Sequence, residues 1–394
     1  MFGALYFSEG APVGLIWWAL PVWLRAAGMA PGDIARLTAL VAWPWALKFL
    51  WAPFVDGLAG RRFGVPGAIL TAQSFMILSL APLLLVGLES VGSWVVALLL
   101  LHALAASTQD VAIDTLAIHS VPTSERGAVN GWMQVGMLAG RALFGGAAVL
   151  AAARVGERAV LVGLLLAIAI PALVLLRSPD LRAHALREPP PHRSIGRALV
   201  RIFARRSTWI GFLIASTIGA SFESLASLAG PLLLDQGASQ DLVGFFFLFP
   251  SVACMAGGAL LGGRISDAWG RRRATFAFEA LAAALVACVG AATIVLPGRA
   301  GVVFVLLAGV YVAMGLATAA LYAQLMDLTE RTVAATQFGV FMGGINLCYV
   351  WATLLIGFLI DRFGYGPSLL ILSLCSIAAL PLLSLLPRSE PEGA

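Results

Sequence analysis

The chain has 394 residues, 60% of them hydrophobic and only 11% charged, with a net charge of +5. A soluble domain of this length needs a polar surface, of which charged residues usually supply about 25% of the composition, so a water-soluble globular protein is excluded. Of the 25 basic residues 24 are arginine, gathered mainly in a few loops, a pattern that fits membrane topology rather than a phosphate-binding face and argues against a nucleic-acid partner.

Blocks such as Leu80 to Leu88 and Val95 to Ala106 are apolar nearly all round, and so many of them cannot all be core helices. A span needs roughly 20 predominantly apolar residues to cross about 30 Å of hydrocarbon. The first predicted span, 2–25, starts without a basic leader or a cleavage site and is expected to be retained; it carries Glu9, Trp17, Trp18 and Pro21. The second, 34–55, holds Lys48, and the third, 65–87, has no ionisable residue. The fourth, 93–118, carries His102, Gln109, Asp110 and Asp114; the fifth, 127–152, carries Asn130, Gln134 and Arg141; the sixth is 158–177. Residues 178–207, with Pro179, Pro189, Pro190, Pro191 and seven arginines, cannot span. Six more spans follow at 208–234, 242–264, 274–296, 301–327, 333–360 and 367–386; they hold Glu223, Glu279, Tyr322, Gln324, Asp327 and Asn346. The expected fold is an all-α integral membrane protein of twelve helices. Two six-helix bundles, 1–177 and 208–394, flank a cytoplasmic linker, 178–207.

Positive charge sets the orientation. With both termini inside, cytoplasmic segments hold 17 arginines and outer loops 6, so both termini and the linker are expected on the cytoplasmic side of the inner membrane. The four cysteines, Cys254, Cys288, Cys348 and Cys375, lie in apolar runs without a C-x-x-C spacing, so neither a disulfide framework nor a zinc site is expected. His102, His119, His184 and His192 are dispersed, and H-E-x-x-H, G-x-S-x-G and G-x-x-x-x-G-K-[ST] are absent. An intramembrane enzyme, a nucleotide-driven pump, a resident metal and a cofactor are therefore not expected.

Landmarks recur between the halves. Asp33 and Asp241 open the second and eighth spans, 208 apart; Pro21 and Pro231 are 210 apart, Asp56 and Asp267 211, and Asp114 and Asp327 213. This supports a parallel duplication, as in carriers built from two similar halves around a central site. The segment GGRISDAWGRRR, 262–273, with its degenerate copy DGLAGRRFG, 56–64, resembles the loop signature of the major facilitator superfamily. Two further stretches are YFSEGAPVGLIWWALPVWLRAAG with LKFLWAPFVD, and ASTQDVAIDTLAIHSVPTSERGAVNG. They resemble the peptide–acetyl-coenzyme A–drug transporter family, which includes muropeptide permeases, and the related single-subunit siderophore permeases. The resemblance is strongest over residues 1–145 and at superfamily level beyond. It implies a monomeric alternating-access permease whose first, fourth, seventh and tenth helices line the cavity, a rule that Gln109, Tyr322 and Gln324 fit. It also implies that Asp56, Arg61, Asp267 and Arg271 form breakable loop latches between the halves, each worth about 1 kcal/mol.

Ionisable groups inside spans are costly, by about 2.5–3.5 kcal/mol or more each at the bilayer centre, and so mark function. Glu9, Lys48 and Asp110 each lie roughly 10–12 Å from the cytoplasmic ends at ~1.5 Å per residue, a common depth that permits an ionic cluster. Asp110 and Asp114, four apart, share a helix face. Two carboxylates on one buried face resist ionising together while a nearby ammonium opposes that effect, so Glu9, Lys48, Asp110 and Asp114 are the candidate proton-coupling set. The alternative is a static Lys48–Asp110 pair that fixes packing. Arg141, at mid-depth, is a fork for a substrate carboxylate or phosphate, or else a permanent partner of Asp110 or Glu223. Trp17, Gln109, Asn130, Gln134, Glu223, Tyr322, Gln324 and Asn346 complete the candidate substrate set, although a lone Trp is more often packing. Glu279 is expected to be structural, meeting Arg271 or Arg272, and His102 to be a packed core histidine.

The function expected is a secondary active transporter, a proton symporter, moving a small muropeptide-like or siderophore-like solute across the bilayer. A transporter-like sensor, or a facilitator or exporter of an acyl-coenzyme A or drug-like solute, is the alternative. A channel fits less well, because asymmetric interior charge in a two-half repeat is not a selectivity ring.

Overall fold

The structure, a computed structural model, describes residues 1–56, 58, 64–86, 92–121, 125–177, 200, 202–329 and 334–386. Among these residues there is no strand. Nine helices are long and apolar enough to cross a bilayer, and the first, second and seventh, each interrupted, complete twelve. Most of the expected linker and the Arg61 side of the first loop lie outside the described residues.

Helix α1 runs Phe2–Gly14, passes through a π-turn at Leu15–Ala19 and continues Leu20–Ala26. The cause is local. Pro21 has no N–H to return to the Trp17 carbonyl, and the turn before it is wound wide, with the Leu20 N–H reaching Leu15 O. Helix α2, Pro31–Leu47, tightens to a 3-10 turn at Lys48–Leu50 and ends with Ala52–Asp56. Helix α3 comprises Gly64–Leu80 and Leu83–Val86, and α4 is Ser93–Ser120. Helix α5 runs Arg126–Arg141, takes a π-turn at Ala142–Ala147 and finishes Ala148–Val155; α6 is Glu157–Leu176.

Helix α7 is broken twice, into Arg206–Ala215, Ala220–Leu225 and Ala229–Asp235. At the first break Ser216 and Thr217 Oγ atoms donate to Leu213 O at 3.2 and 2.7 Å, a back-bonding that bends helices. The Ser216 carbonyl freed there accepts from Trp351 Nε1 at 2.7 Å. At the second break Pro231 cannot donate to the preceding turn. Helix α8 comprises Gln240–Leu248 and Pro250–Trp269, and α9 is Arg271–Val295. Helices α10, Ala300–Asp327, and α11, Ala334–Phe363, follow, and α12 is Tyr365–Ala379 with a 3-10 end at Leu380–Leu385.

In the first half α1 crosses α5 almost backbone to backbone. A Cβ at Gly10 would lie 2.2 Å from Met137 O, and one at Gly140 2.7 Å from Phe7 O, so only glycine fits. The two halves are sealed at the end remote from the termini. There α2 packs on α11, the last piece of α1 on the last piece of α7, and the π-turn of α5 on the first piece of α8. A Cβ at Gly146 would lie 2.1 Å from Leu248 N across that seam. Trp18 stacks on Phe247 with ring centroids 5.0 Å apart. Three ion pairs lie at the same end: Arg25 Nε to Asp235 Oδ1 at 2.7 Å and Arg36 to Asp361 at 2.7 Å join the halves, and Arg36 also meets Asp33 of its own helix at 2.6 Å.

Candidate functional site

Five side chains from three helices meet in the first half. Lys48, at the 3-10 turn of α2, ion-pairs with Asp110 of α4, and the two side chains are only 18% and 9% exposed. One helical turn along α4, Asp114 accepts the hydroxyl of Tyr6. Glu9 of α1, three residues after Tyr6 and buried, stands beside Asp110, and its Oε2 has no partner. Ser8 anchors this face: its Oγ donates to Leu5 O at 2.6 Å and accepts from Gln73 and Gln109 Nε2 at 3.2 and 3.4 Å, tying α1 to α3 and α4. Three carboxyls thus stand around one ammonium, those of Glu9 and Asp110 buried and that of Asp114 exposed.

The second group lies at the boundary between the halves. Arg141 ends the regular part of α5, immediately before its π-turn, and is pinned from behind: a Cβ at Gly14 would lie 2.5 Å from Arg141 O. Its Nε is buried without a hydrogen-bond partner, and it forms no ion pair with a described residue. Glu223 sits on the short middle piece of the twice-broken α7 and likewise has no ion pair among the described residues. Glu9, Tyr322, Glu223 and Tyr311 all act electrostatically on Arg141. Both Arg141 and Glu223 are partly accessible. The permanent Arg141 partnership with Asp110 or Glu223 is thus not found.

The other candidates scatter. Trp17, partly accessible, meets Trp45 and Tyr349 edge-on at 5.1 and 6.1 Å, an aromatic group spanning α1, α2 and α11. Tyr322 is partly accessible and edge-on to Phe338. Gln109 and Gln324 are buried, each with an unpartnered Oε1. Asn346 Nδ2 donates to Trp45 O at 3.3 Å, which joins α11 to α2. Asn130 and Gln134 are exposed on the terminal half of α5, away from Arg141.

Arg271 pairs with Asp327, donates to Ala323 O at 3.1 Å and lies 4.0 Å from Asp267, all within the second half. No contact from it to the first half is present among the described residues; the Asp56 side chain and Arg61 lie outside them. The expectation for Glu279 is corrected: Arg271 is engaged by Asp327, and both Glu279 oxygens are buried without a partner. His102 is packed, its Nδ1 at 3.3 Å from Met76 O and 3.4 Å from Ser79 Oγ. Sequence reasoning missed Tyr6, Ser8, Gln73 and Tyr311. The three-residue spacing of Tyr6 and Glu9 was the only available signal for the first of these. Among the described residues no group of His, Cys, Asp and Glu is placed to hold a metal ion.

The sequence matches the Major Facilitator Superfamily profile over residues 2–352, so the chain belongs to that superfamily of membrane transporters and is a multi-pass membrane protein. It is 25% identical over 383 residues to an uncharacterized protein of Haemophilus influenzae, with 91% of this chain and 87% of that protein covered. A segment of 81 residues is 33% identical to an uncharacterized Schizosaccharomyces pombe protein, covering 19% of this chain and 15% of that one. Among solved structures, the fold is similar to a D-xylose–proton symporter at TM-score 0.71 and 14% identity, covering 99% and 97% of the two chains. It is also similar to a point-mutant form of the nucleoside transporter NupG at TM-score 0.72 and 12% identity, covering 98% of each chain.

Proposed function

We propose that this major facilitator superfamily member is a proton-coupled symporter of the inner membrane, with both termini cytoplasmic. It carries a small organic solute bearing a negative group, of muropeptide-like or siderophore-like kind. The observation that carries the reading is the buried Lys48–Asp110 pair with Glu9 against it and Tyr6 on Asp114, beside an unpaired Arg141. Glu9 is the link: it stands beside Asp110 and is also the first charged neighbour acting on Arg141. A change of charge in the cluster is therefore felt by the group proposed to hold substrate.

The steps follow from the geometry. The halves pack together at the remote end, and in this reading the substrate meets Arg141 and Glu223 from the side of the termini. A substrate anion there takes the planar guanidinium fork. A proton added to the acidic cluster removes one negative charge and releases Lys48 from part of its attraction, which lets the halves rock about the site. The breaks in α1, α5 and α7 place irregular backbone where the halves turn on one another, as helix interruptions do in carriers.

The test is uptake by proteoliposomes under an imposed pH gradient, with muropeptide, ferric siderophore and acyl-coenzyme A panels. Concentrative uptake of a muropeptide or ferric siderophore, collapsing with the gradient, supports the reading; uptake indifferent to the gradient overturns the coupling. Accumulation of acyl-coenzyme A alone would move the substrate class.

A further inference from the structure

We infer that the solute passes between Arg141 and the side of the termini along one flank only. The passage is a water-filled cleft between α5 and α8, walled by Asn130 and Gln134, while the seam of α2 with α11 stays shut. This rests on the transporter reading above and adds to it the path that the solute takes.

The two seams are unequal in length. That of α2 with α11 runs through most of the membrane. Near the remote end a Cβ at Gly357 would lie 2.8 Å from Ala35 Cβ, and toward the termini one at Gly343 would lie 2.7 Å from Phe49 Cδ1. Between them Ala42, Ala46, Tyr349 and Val350 form one buried cluster. From Ala35 to Phe49 is about 21 Å at ~1.5 Å per residue, out of about 30 Å of hydrocarbon. The seam of α5 with α8 is confined to the remote end, where Gly146 and Leu150 meet Leu248 and Gly244. Then α8 breaks at Phe249, ahead of Pro250, and its long piece turns onto α10. There a Cβ at Gly258 would lie 2.2 Å from Val312 O, and one at Gly262 2.7 Å from Leu316 O. Among the described residues that piece does not pack along Arg126–Arg141, and its Leu260 and Leu261 are exposed.

The stretch of α5 left bare carries a polar stripe. Arg126–Arg141 is regular α-helix, so at about 100° per residue Asn130, Gln134 and Arg141 fall within about 40° of one another. Asn130 and Gln134 are exposed, and neither makes a hydrogen bond to a described residue. Arg141, partly accessible, follows about 16 Å beyond Asn130. An unpaired amide about 12 Å into a span, as at Gln134, is costly against lipid and satisfied against water. Half a turn round the same helix, Trp132 and Ala139 are exposed in an apolar groove that among the described residues only α1 and α5 line, a surface that suits lipid. The stripe faces the other half instead: besides Glu9, the first of them, the groups acting electrostatically on Arg141 are Tyr322, Glu223 and Tyr311, all of the second half. The flank on which the halves separate is therefore the flank with the polar wall. Asn and Gln each offer donors and an acceptor without a charge, so the hydroxyl and amide groups of a solute can pass along them without being held.

The test is thiol labelling of the full-length protein in inside-out membrane vesicles, which needs no substrate. The parent carries Cys254→Ala, Cys288→Ala and Cys375→Ala and keeps the buried Cys348. Single cysteines are placed on the stripe (Asn130→Cys, Gln134→Cys), in the shut seam (Ala46→Cys, Val350→Cys) and on the lipid face (Trp132→Cys, Ala139→Cys). The probe is a charged, membrane-impermeant methanethiosulfonate, which reacts with the thiolate and so reports water. Both stripe positions are expected to label at least roughly tenfold faster than the other four. Two sites on each surface keep one misfolded variant from deciding the result. Seam positions that label as fast as the stripe overturn the one-sided passage, and a stripe as slow as the lipid face overturns the cleft. Fast labelling of the stripe, with no panel solute accumulating under the pH gradient, refutes the transporter reading and leaves the cleft; accumulation with an unlabelled stripe does the reverse.

Discussion

Replacing Asp110 with asparagine isolates the step on which proposed coupling depends. Asn keeps the shape and one acceptor oxygen but cannot exchange a proton. Its partner Lys48 is 18% exposed and Asp110 9%, so the pair is effectively buried. Removing one member of a buried pair outright costs about 3–5 kcal/mol, and the retained acceptor should hold the loss to the lower end of that range. Lys48→Met added to Asp110→Asn removes the stranded ammonium and should recover much of the stability without restoring coupling. One proton moving down a gradient of one pH unit supplies about 1.4 kcal/mol, enough for roughly tenfold accumulation of solute. Asp110→Asn should reduce that accumulation to the level outside, while counterflow exchange persists because exchange needs only substrate binding. Normal accumulation by Asp110→Asn would refute the role given to that residue. Failure of Asp114→Asn instead would keep the face and move the proton to the neighbour held by Tyr6.

Arg141→Lys keeps the charge and loses the fork, so substrate affinity should fall by about 1–3 kcal/mol with melting of the purified protein near normal; unchanged affinity would make Arg141 structural. Gly14→Ala forces a Cβ to 2.5 Å from Arg141 O and should destabilise by about 1–3 kcal/mol, seen as a lower melting temperature and weaker binding together. Asp235→Arg sets like charges face to face at the 27% exposed Arg25 and should raise thiol labelling of a Leu248→Cys reporter on the remote side of the seam. An exported reporter should be active when fused at Gly237 and inactive at Arg193; activity at Arg193 would reverse the orientation.

Most of the fold was legible because membrane spans are written as long apolar blocks, and each expected block overlaps an observed helix. The interruptions were not, although their causes are local. Pro12, Pro21, Pro44 and Pro231 all lie inside spans, but a proline can kink, widen or break a helix, and the neighbours decide which. The Lys48–Asp110 contact was anticipated from depth alone, because helices of one bundle share a common membrane frame. Tyr6 was invisible to that reasoning, which tracked charge and not neutral hydroxyls. Glu279 was misplaced for a related reason: proximity in sequence to Arg271 suggested a partner, whereas Arg271 turns to Asp327 across α9 and α10. Spacing gives depth; it does not give the rotation of a helix about its own axis, and rotation chooses the partner.

The repeat separates what the two halves share from what they do not. Arg25 and Asp235 are 210 residues apart, the offset of Pro21 and Pro231, so this ion pair joins equivalent positions near the axis relating the halves. Gly156 and Gly364, 208 apart, both take left-handed backbone where the sixth and twelfth helices begin. The scaffold and its remote closure are therefore symmetric, as a pair of halves rocking against each other requires. The interior charges are not. Applying the same offsets, Glu9 corresponds to Gly219, Lys48 to Ala259, Asp110 to Ala323 and Arg141 to Tyr349. Glu223 in turn corresponds to Val13. Of the cluster acids Asp114 keeps a counterpart, Asp327, whereas the five charges named above have lost, or never gained, one. A symmetric interior would hold either no charge or twice as much, and twice as much would place like charges opposite one another across the axis. Asymmetry removes that repulsion. It leaves the acidic cluster and the guanidinium to the first half alone. The proposed coupling and recognition thus occupy positions where the duplication has been broken, and the movement that connects them uses positions where it has been kept.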